Sequence, residues 1–301
     1  MPPRRRHLPA PGGALGTAVV LLGVVAAVLC GLWLQFGERQ DQETRHTAGT
    51  RAPDRIDIDA SVQRVDAAGR ELVLRLLVTP RGALAEAGGV APAEELTLQT
   101  SSSVRGDIVF PAHRRIGTVD VPVTLTGGSI TDYPFDAYDA QMEFGAVQGG
   151  AGVPVRMTLV NRDALFALGV DASEDRGTAV FAAEVVRSRS VLVFAVFMML
   201  AMWALTVAVL LGGRHLVVRR AGLTWPALGW MAATLFALAA FRNAAPGAPP
   251  IGSLLDYLAF FWAETLIAFC VIVVVVAAVR AEGPPPREPV GPGGAGAPSH
   301  P

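Results

Sequence analysis

The chain has 301 residues, of which 51% are hydrophobic and only 17% charged, and its formal net charge is -1. A soluble domain carries charges on about a quarter of its residues, so this composition excludes an ordinary, wholly soluble protein. The near-zero charge leaves no electrostatic footprint for nucleic acid, and the 25 cationic residues are all arginine, which reads as codon bias rather than chemistry.

Residues 1–13 hold Arg4, Arg5 and Arg6 and read as a cytoplasmic tail. Ala14–Phe36 is an uncharged apolar run, and crossing the hydrocarbon core takes about 20 such residues. The run is longer than a signal-peptide h-region and no A-x-A site closes it, so it is expected to be an uncleaved signal-anchor, the first membrane helix. Residues 37–50 are polar and read as a tether.

From Arg51 to residue 189 the pattern is that of strands. Ile56, Ile58, Ala60 and Val62 alternate with Asp57, Asp59 and Ser61, a period of two that marks a half-buried strand. Further strands are expected at Glu71–Val78, Glu94–Gln99, Asp107–Phe110, Ile116–Leu125, Ala140–Phe144, Val153–Val160 and Thr178–Val186, with a short helix over Asn161–Leu168. Gly/Pro turns separate these runs, which suggests a sandwich or barrel, and a β-sandwich-like domain is the expected fold. Within it, Asp132-Tyr133-Pro134-Phe135-Asp136-Ala137-Tyr138 forms a distinctive corner. Pro134 restricts its own backbone and that of Tyr133, Phe135 is expected to bury as a plug, and Asp132 or Asp136 to bond nearby amides.

Three more apolar runs come after it, expected as membrane helices at 190–212, 221–241 and 257–280. Residues 213–220 carry Arg214, Arg219 and Arg220, and Arg280 closes the last helix, so the positive-inside rule places these regions and both termini in the cytoplasm. Residues 37–189 and the hairpin 242–256 then lie outside. The hairpin begins at Arg242-Asn243, passes Pro249-Pro250 and ends at Asp256, with Trp262 and Glu264 beyond it. Asp256, Phe260 and Glu264 recur every four residues, placing them near one helix face. An acid inside a membrane helix is a functional candidate by default, and Glu264 is the one here. Residues 281–301 are Pro/Gly-rich and read as a disordered cytoplasmic tail.

Cys30 and Cys270 both fall in apolar runs, no Cys/His spacing suggests a metal, and no constellation amounts to an active site. No cofactor, metal or catalytic residue is therefore expected. The expected partners are the lipid bilayer and either further copies of the chain or other envelope proteins.

The two motifs, Gly128 to Tyr138 and Arg242 to Trp262, together with the order of helix, outside domain and three helices, resemble a bacterial membrane-protein family catalogued as domain of unknown function 4436 (DUF4436). That resemblance spans roughly residues 14–280 and implies no activity. The Tyr133–Asp136 string is also similar to the aromatic-Pro-Phe-Asp signature of the external domain of pentameric ligand-gated channels. In that family the loop couples ligand binding to the membrane helices. The leading expectation is a non-enzymatic membrane protein whose external β-domain binds, senses or assembles and is coupled to the helices. The alternatives are a channel-like subunit and a transporter or membrane enzyme using Glu264. The channel family, however, has its helices after the β-domain, and few hydroxyl residues line the runs here.

Overall fold

The computed structural model describes residues 44–87, 89–219 and 224–282, with single positions between 22 and 37. The chain divides into two compact units. One comprises the β-domain through Met199 together with Ala244–Leu258, and the other Leu200–Asn243 together with the chain from Ala259 onward.

The first unit is built on β1 (Arg45–Gly49), β2 (Arg55–Asp66), β3 (Glu71–Arg81), β4 (Leu96–Thr100), β5 (Ile108–Phe110), β6 (Val119–Thr126), β7 (Ala137–Gln148), β8 (Ala151–Val153), β9 (Val155–Asn161), β10 (Phe166–Asp175) and β11 (Thr178–Arg187). They form one 11-stranded sheet with the order β1-β9-β2-β3-β6-β7-β11-β10, while β4 and β8 pair with β7 and β5 with β4. The β2–β9 pair is parallel, with Ile58 opposite Met157. Period-two patterning makes these strands. Ile56, Ile58, Ala60 and Val62 of β2, Leu72, Leu74 and Leu76 of β3, Tyr138, Met142 and Phe144 of β7, and Phe181 and Val185 of β11 all point into one core. Each Val, Leu, Ile, Phe or Met among them contributes about 1.5–3 kcal/mol when fully buried.

The expected sandwich of two separate sheets is corrected by the β6–β7 ladder. Leu125 pairs with Ala140 and Thr126 with Asp139, so the two halves are continuous. The turn after β6 makes this possible. Gly127 and Gly128 both have positive φ, and a Cβ on Gly128 would collide with the Ala137 carbonyl oxygen. The sheet then curls in a barrel-like way until β1 lies against β10 and β11.

Two further expectations change. Part of the presumed tether is β1, an edge strand held by β9 from Arg45↔Val160 to Gly49↔Arg156. Its polar residues gave no alternation to read. The presumed helix over 161–168 is a turn leading into β10, which pairs with β11 from Phe166↔Arg187 to Asp175↔Thr178. Asn161 and Asp163 direct that turn, because their side chains bond backbone groups that a helix would have used.

Among the described residues, two helices are long and apolar enough to cross a membrane, Arg189–Val218 and Asp256–Ala281. This corrects the expected arrangement of one N-terminal and three C-terminal membrane helices. Most of the expected first span, 14–36, lies outside the described residues, although the positions described there are helical. We label Arg189–Val218 α1, Trp225–Asn243 α2 and Phe261–Glu282 α3, the last preceded by a π turn over Asp256–Phe260. Helix α2 carries Pro226 in its first turn and ends on Arg242 and Asn243, which leaves an apolar stretch short of the roughly 20 residues a crossing needs. In the second unit α2 packs on α3, and Gly213 of α1 meets Cys270 of α3, whose thiol faces the Val209 carbonyl at 3.8 Å.

Candidate functional site at the strand-to-helix junction

Strand β11 continues its inward phase through Ala179, Phe181, Ala183 and Val185, and the next inward position is Arg187. A buried guanidinium is tolerated only when paired and hydrogen-bonded. Its partner is Asp136, two residues before Tyr138 on the inward phase of β7. Arg187 Nε donates to Asp136 Oδ1 and Oδ2 at 3.0 and 3.1 Å, and Nη2 donates to Oδ2 at 2.9 Å. Both side chains are almost wholly enclosed, 2% exposed for Arg187 and 0% for Asp136. The Tyr138 hydroxyl donates to Asp136 Oδ2 at 3.0 Å, completing the carboxylate's shell.

Aromatic rings cover the guanidinium. Its central carbon lies 4.2 Å from the Phe166 ring centroid and 5.1 Å from that of Tyr133, within cation–π range. Tyr138 meets Phe166 edge-on at 6.5 Å. Phe166 is held by the preceding turn, where Asp163 Oδ1 accepts from the Leu165 and Phe166 amides at 2.7 and 3.1 Å and its Oδ2 from the Val65 amide at 2.7 Å. Ser188, the residue between β11 and α1, donates its amide to the Leu165 carbonyl and its hydroxyl to the Ala164 carbonyl. The strand end, the turn and the helix start are thus fastened together.

The loop after α2 reaches the same place. A Cβ on Gly247 would lie 2.5 Å from Arg187 Nη1 and 3.7 Å from Leu165, and its φ is +77°. Gly247 is therefore required twice, by space and by conformation. Farther along, Asp256 is fully buried, and its Oδ2 accepts from the amides of Gly252 and Ser253 at 2.7 and 3.2 Å and from the Ser253 hydroxyl at 3.4 Å. That carboxylate holds the loop's last turn.

Burial pushes the Tyr133 phenol up to about 12, with Arg187 opposing and Asp136 adding to the effect. Burial, the charge of Asp136 and the hydrogen bond to it also raise Tyr138. The Tyr133 hydroxyl is buried without a hydrogen-bond partner.

The motif residues distribute unevenly. Asp136 and Tyr138 are in the cluster, and Tyr133 and Pro134 are buried at the corner. Phe135 is 55% exposed, which corrects its expected role as a plug; Tyr133, at 0%, fills the interior instead. Asp132 ends an exposed 3-10 turn whose carbonyl accepts from the Phe135 amide. In the second motif, Arg242 is buried at the end of α2 beside the exposed Asn243, Pro249 is buried and Pro250 exposed, and Trp262 is 58% exposed. Glu264 lies in the first turn of α3, half-buried. A π turn over Asp256–Phe260 precedes the α-helical stretch that holds Glu264. Sequence reading missed Arg187. The available signal was its phase, since it continues the inward alternation of Phe181, Ala183 and Val185 immediately before an apolar helix. Among the described residues no group of His, Cys, Asp and Glu gathers to hold a metal ion.

Residues 46–187 match the family model "Domain of unknown function (DUF4436)". That match supports the family assignment made on the Gly128–Tyr138 motif. Residues 187–281 match a second model, "Domain of unknown function (DUF8686)", so the Arg242–Trp262 motif belongs to that match and not to DUF4436. The two matches meet at Arg187, the last residue of β11, whose side chain joins the DUF4436 region to the loop after α2. No curated protein matches the chain.

Proposed function

We propose that the DUF4436 region is a non-enzymatic binding or sensing domain, outside the cytoplasm, whose state is passed to a membrane-embedded helical part through the Asp136–Arg187–Gly247 contact. The observation that carries this reading is the enclosed Arg187–Asp136 pair at the residue where strand becomes helix, with the loop after α2 against it. A buried pair of this kind resists small displacements, because separating the charges in a low-dielectric interior is costly. Movement of the β7 corner is therefore delivered to α1 and to the loop rather than absorbed. The bilayer is the partner for the two apolar helices, with Arg214 and Arg280 near their ends setting the cytoplasmic side. Further copies of the chain or other envelope proteins are the remaining partners.

Hydrogen exchange on the full chain in nanodiscs tests the coupling. Arg187→Met should raise exchange in the loop 244–255 and in the 130–136 corner while leaving the β2–β3 ladder protected. Unchanged exchange in the loop refutes the relay. A reporter fused after residue 150 should read external, and a cytoplasmic signal refutes the orientation.

One observation favours a channel-like subunit as a second reading. The aspartate of the aromatic-Pro-Phe-Asp string occupies the junction with the first helix, the place where that channel family couples its domains. Against it, Thr206 and Thr234 are both turned back onto their own helices, bonding Met202 and Trp230 carbonyls. Cation flux from reconstituted protein assembled as a fivefold ring would support this reading, and a monomer or dimer without flux would exclude it.

A further inference from the structure

We infer that the groove on the outer face of β1, β9, β2 and β3 binds a saccharide bearing a carboxylate, an inference that rests on reading the DUF4436 region as a binding domain. The groove has a volume of about 640 Å³, and the register of the strands builds it from their outward phase. Arg45 of β1 stands opposite Val160 of β9, Val160 opposite Ser61 of β2, and Ser61 opposite Arg75 of β3. One row of side chains therefore crosses these strands, and at about 4.8 Å from strand to strand it is roughly 14 Å long. The next row holds Thr158, Asp59 and Leu77.

The two ends of the groove differ in charge. Arg162 lies two residues beyond Val160 and is kept beside β2 by its amide, which donates to the Val62 carbonyl at 3.0 Å. It is the diagonal neighbour of Arg45 across an antiparallel pair, roughly 7–8 Å away, so the two guanidiniums can converge on one anion. Neither has a carboxylate partner among the described residues. At the other end Arg75 is already matched by Asp120 at 2.8 Å. Between the ends stands Asp59, which has no cation partner among the described residues, with Ser61, Gln63 and Thr158 around it. Two guanidiniums against one carboxylate leave a small positive surplus in an otherwise neutral, polar groove.

A saccharide with a carboxylate satisfies every part. Its carboxylate takes charge-assisted N–H donors from Arg45 and Arg162. Its hydroxyls donate to Asp59 and exchange bonds with Thr158 and Gln63, and the C–H face of a ring covers Leu77, which is 42% exposed. A bare inorganic dianion uses only the arginine end and is repelled by Asp59. A neutral sugar leaves both guanidiniums unmatched, and an aliphatic chain finds little more than Leu77 and Val160 to cover. The position also fits the relay. Arg162 stands between Asn161 and Asp163, whose side chains bond the Phe166 carbonyl and amide, and Phe166 covers Arg187. A ligand drawn to Arg162 therefore loads the turn that holds the buried pair.

The test is calorimetric titration of the full chain, in nanodiscs of zwitterionic lipid at neutral pH, with cellobiouronic acid, a disaccharide carrying one carboxylate. Saturable binding at one site is expected. Loss of a charge-assisted hydrogen bond costs about 1.5–3 kcal/mol, so binding should be at least about 10-fold weaker in Arg45→Gln and in Arg162→Gln, and for the neutral disaccharide cellobiose. Arg45 and Arg162 are exposed, so these variants leave the core intact. Sodium sulfate should bind more weakly than cellobiouronic acid, and Asp59→Asn should reduce that preference. Cellobiose binding as tightly as cellobiouronic acid, or binding that survives both arginine variants, overturns the inference, because the arginine end then plays no part. Sulfate binding as tightly overturns it by showing a simple anion site, and absence of cellobiouronic acid binding overturns it too. If Arg187→Met still loosens the loop in that last case, the relay stands and only the ligand class falls; if cellobiouronic acid binds while Arg187→Met leaves the loop protected, the relay falls and the groove stands.

Discussion

Removing one member of the buried pair should be far more damaging than removing both. In Asp136→Leu the Arg187 guanidinium keeps its 2% exposure but loses all its carboxylate contacts, and Tyr138 loses its acceptor. Breaking a buried pair in this way costs ~3–5 kcal/mol, whereas replacing both partners with apolar residues is often neutral or better. The double variant Asp136→Leu/Arg187→Met should therefore recover most of the loss, with a coupling of several kcal/mol between the two sites. For a domain of this size ~3–5 kcal/mol corresponds to a drop of roughly 6–20 °C in Tm. The assay is thermal unfolding of the full chain in detergent, monitored by far-ultraviolet circular dichroism, with the two single variants and the double variant forming a cycle. A single variant within about 1 kcal/mol of the parent would refute the reasoning, since Arg187 would then have a route to water. A double variant as unstable as the sum of the singles would refute it differently, by showing that packing and not charge pairing carries the site.

Tyr133 and Tyr138 should part company. Tyr133→Phe removes a buried hydroxyl without a partner and should be neutral or stabilising by about 1 kcal/mol, whereas Tyr138→Phe removes a bond to a carboxylate and should cost about 1.5–3 kcal/mol in chemical denaturation. The raised Tyr133 phenol stabilises the fold fully below its ordinary value of 10.0, and that stability should be lost as pH rises through about 12; Tyr133→Phe should flatten this alkaline loss. At Asp57, burial would raise the pKa, but hydrogen bonds from Arg55 and Arg81 outweigh it and hold the carboxyl below 3.8. Its contribution is present above that value and lost as pH falls through the folded one, so the stability gap between the parent and Asp57→Asn should be wide at neutral pH and shrink in acid. In the helical unit, Gly213→Ala would drive a methyl into Cys270, and the double variant with Cys270→Ala should restore thermal stability; failure of that rescue would remove the Gly213–Cys270 contact as the cause.

Much of the β-domain was open to sequence reading because burial leaves a period-two trace. Strands β2, β3, β7 and β11 show it, since their inner residues are apolar and their outer ones polar. Strand β1 left none, because it is a short polar edge held by the backbone of β9, and β10 was masked by the Asn161–Asp163 turn before it. The corner from Asp132 to Tyr138 stood out by composition, but which of its aromatic residues is buried did not. Tyr133 and Phe135 have the same phase, and only the course of the chain after the 3-10 turn places one inside and the other out.

By itself the sequence determined that strands precede long apolar helices, that a Pro-containing corner lies at Asp132–Tyr138, and that a Pro/Gly-rich loop lies beyond α2. Those are local properties, set by side-chain alternation, apolar length and turn chemistry. Only the tertiary structure decided that the strands form one curling sheet rather than two, because that rests on a two-residue ladder between β6 and β7 that side-chain alternation within either strand does not fix. It also decided that Asp136 meets Arg187, 51 residues away, and that Gly247 leaves room for the guanidinium between them. A charge partner chosen across such a separation leaves no periodic mark in the chain, because the ladder that brings it there is made of backbone.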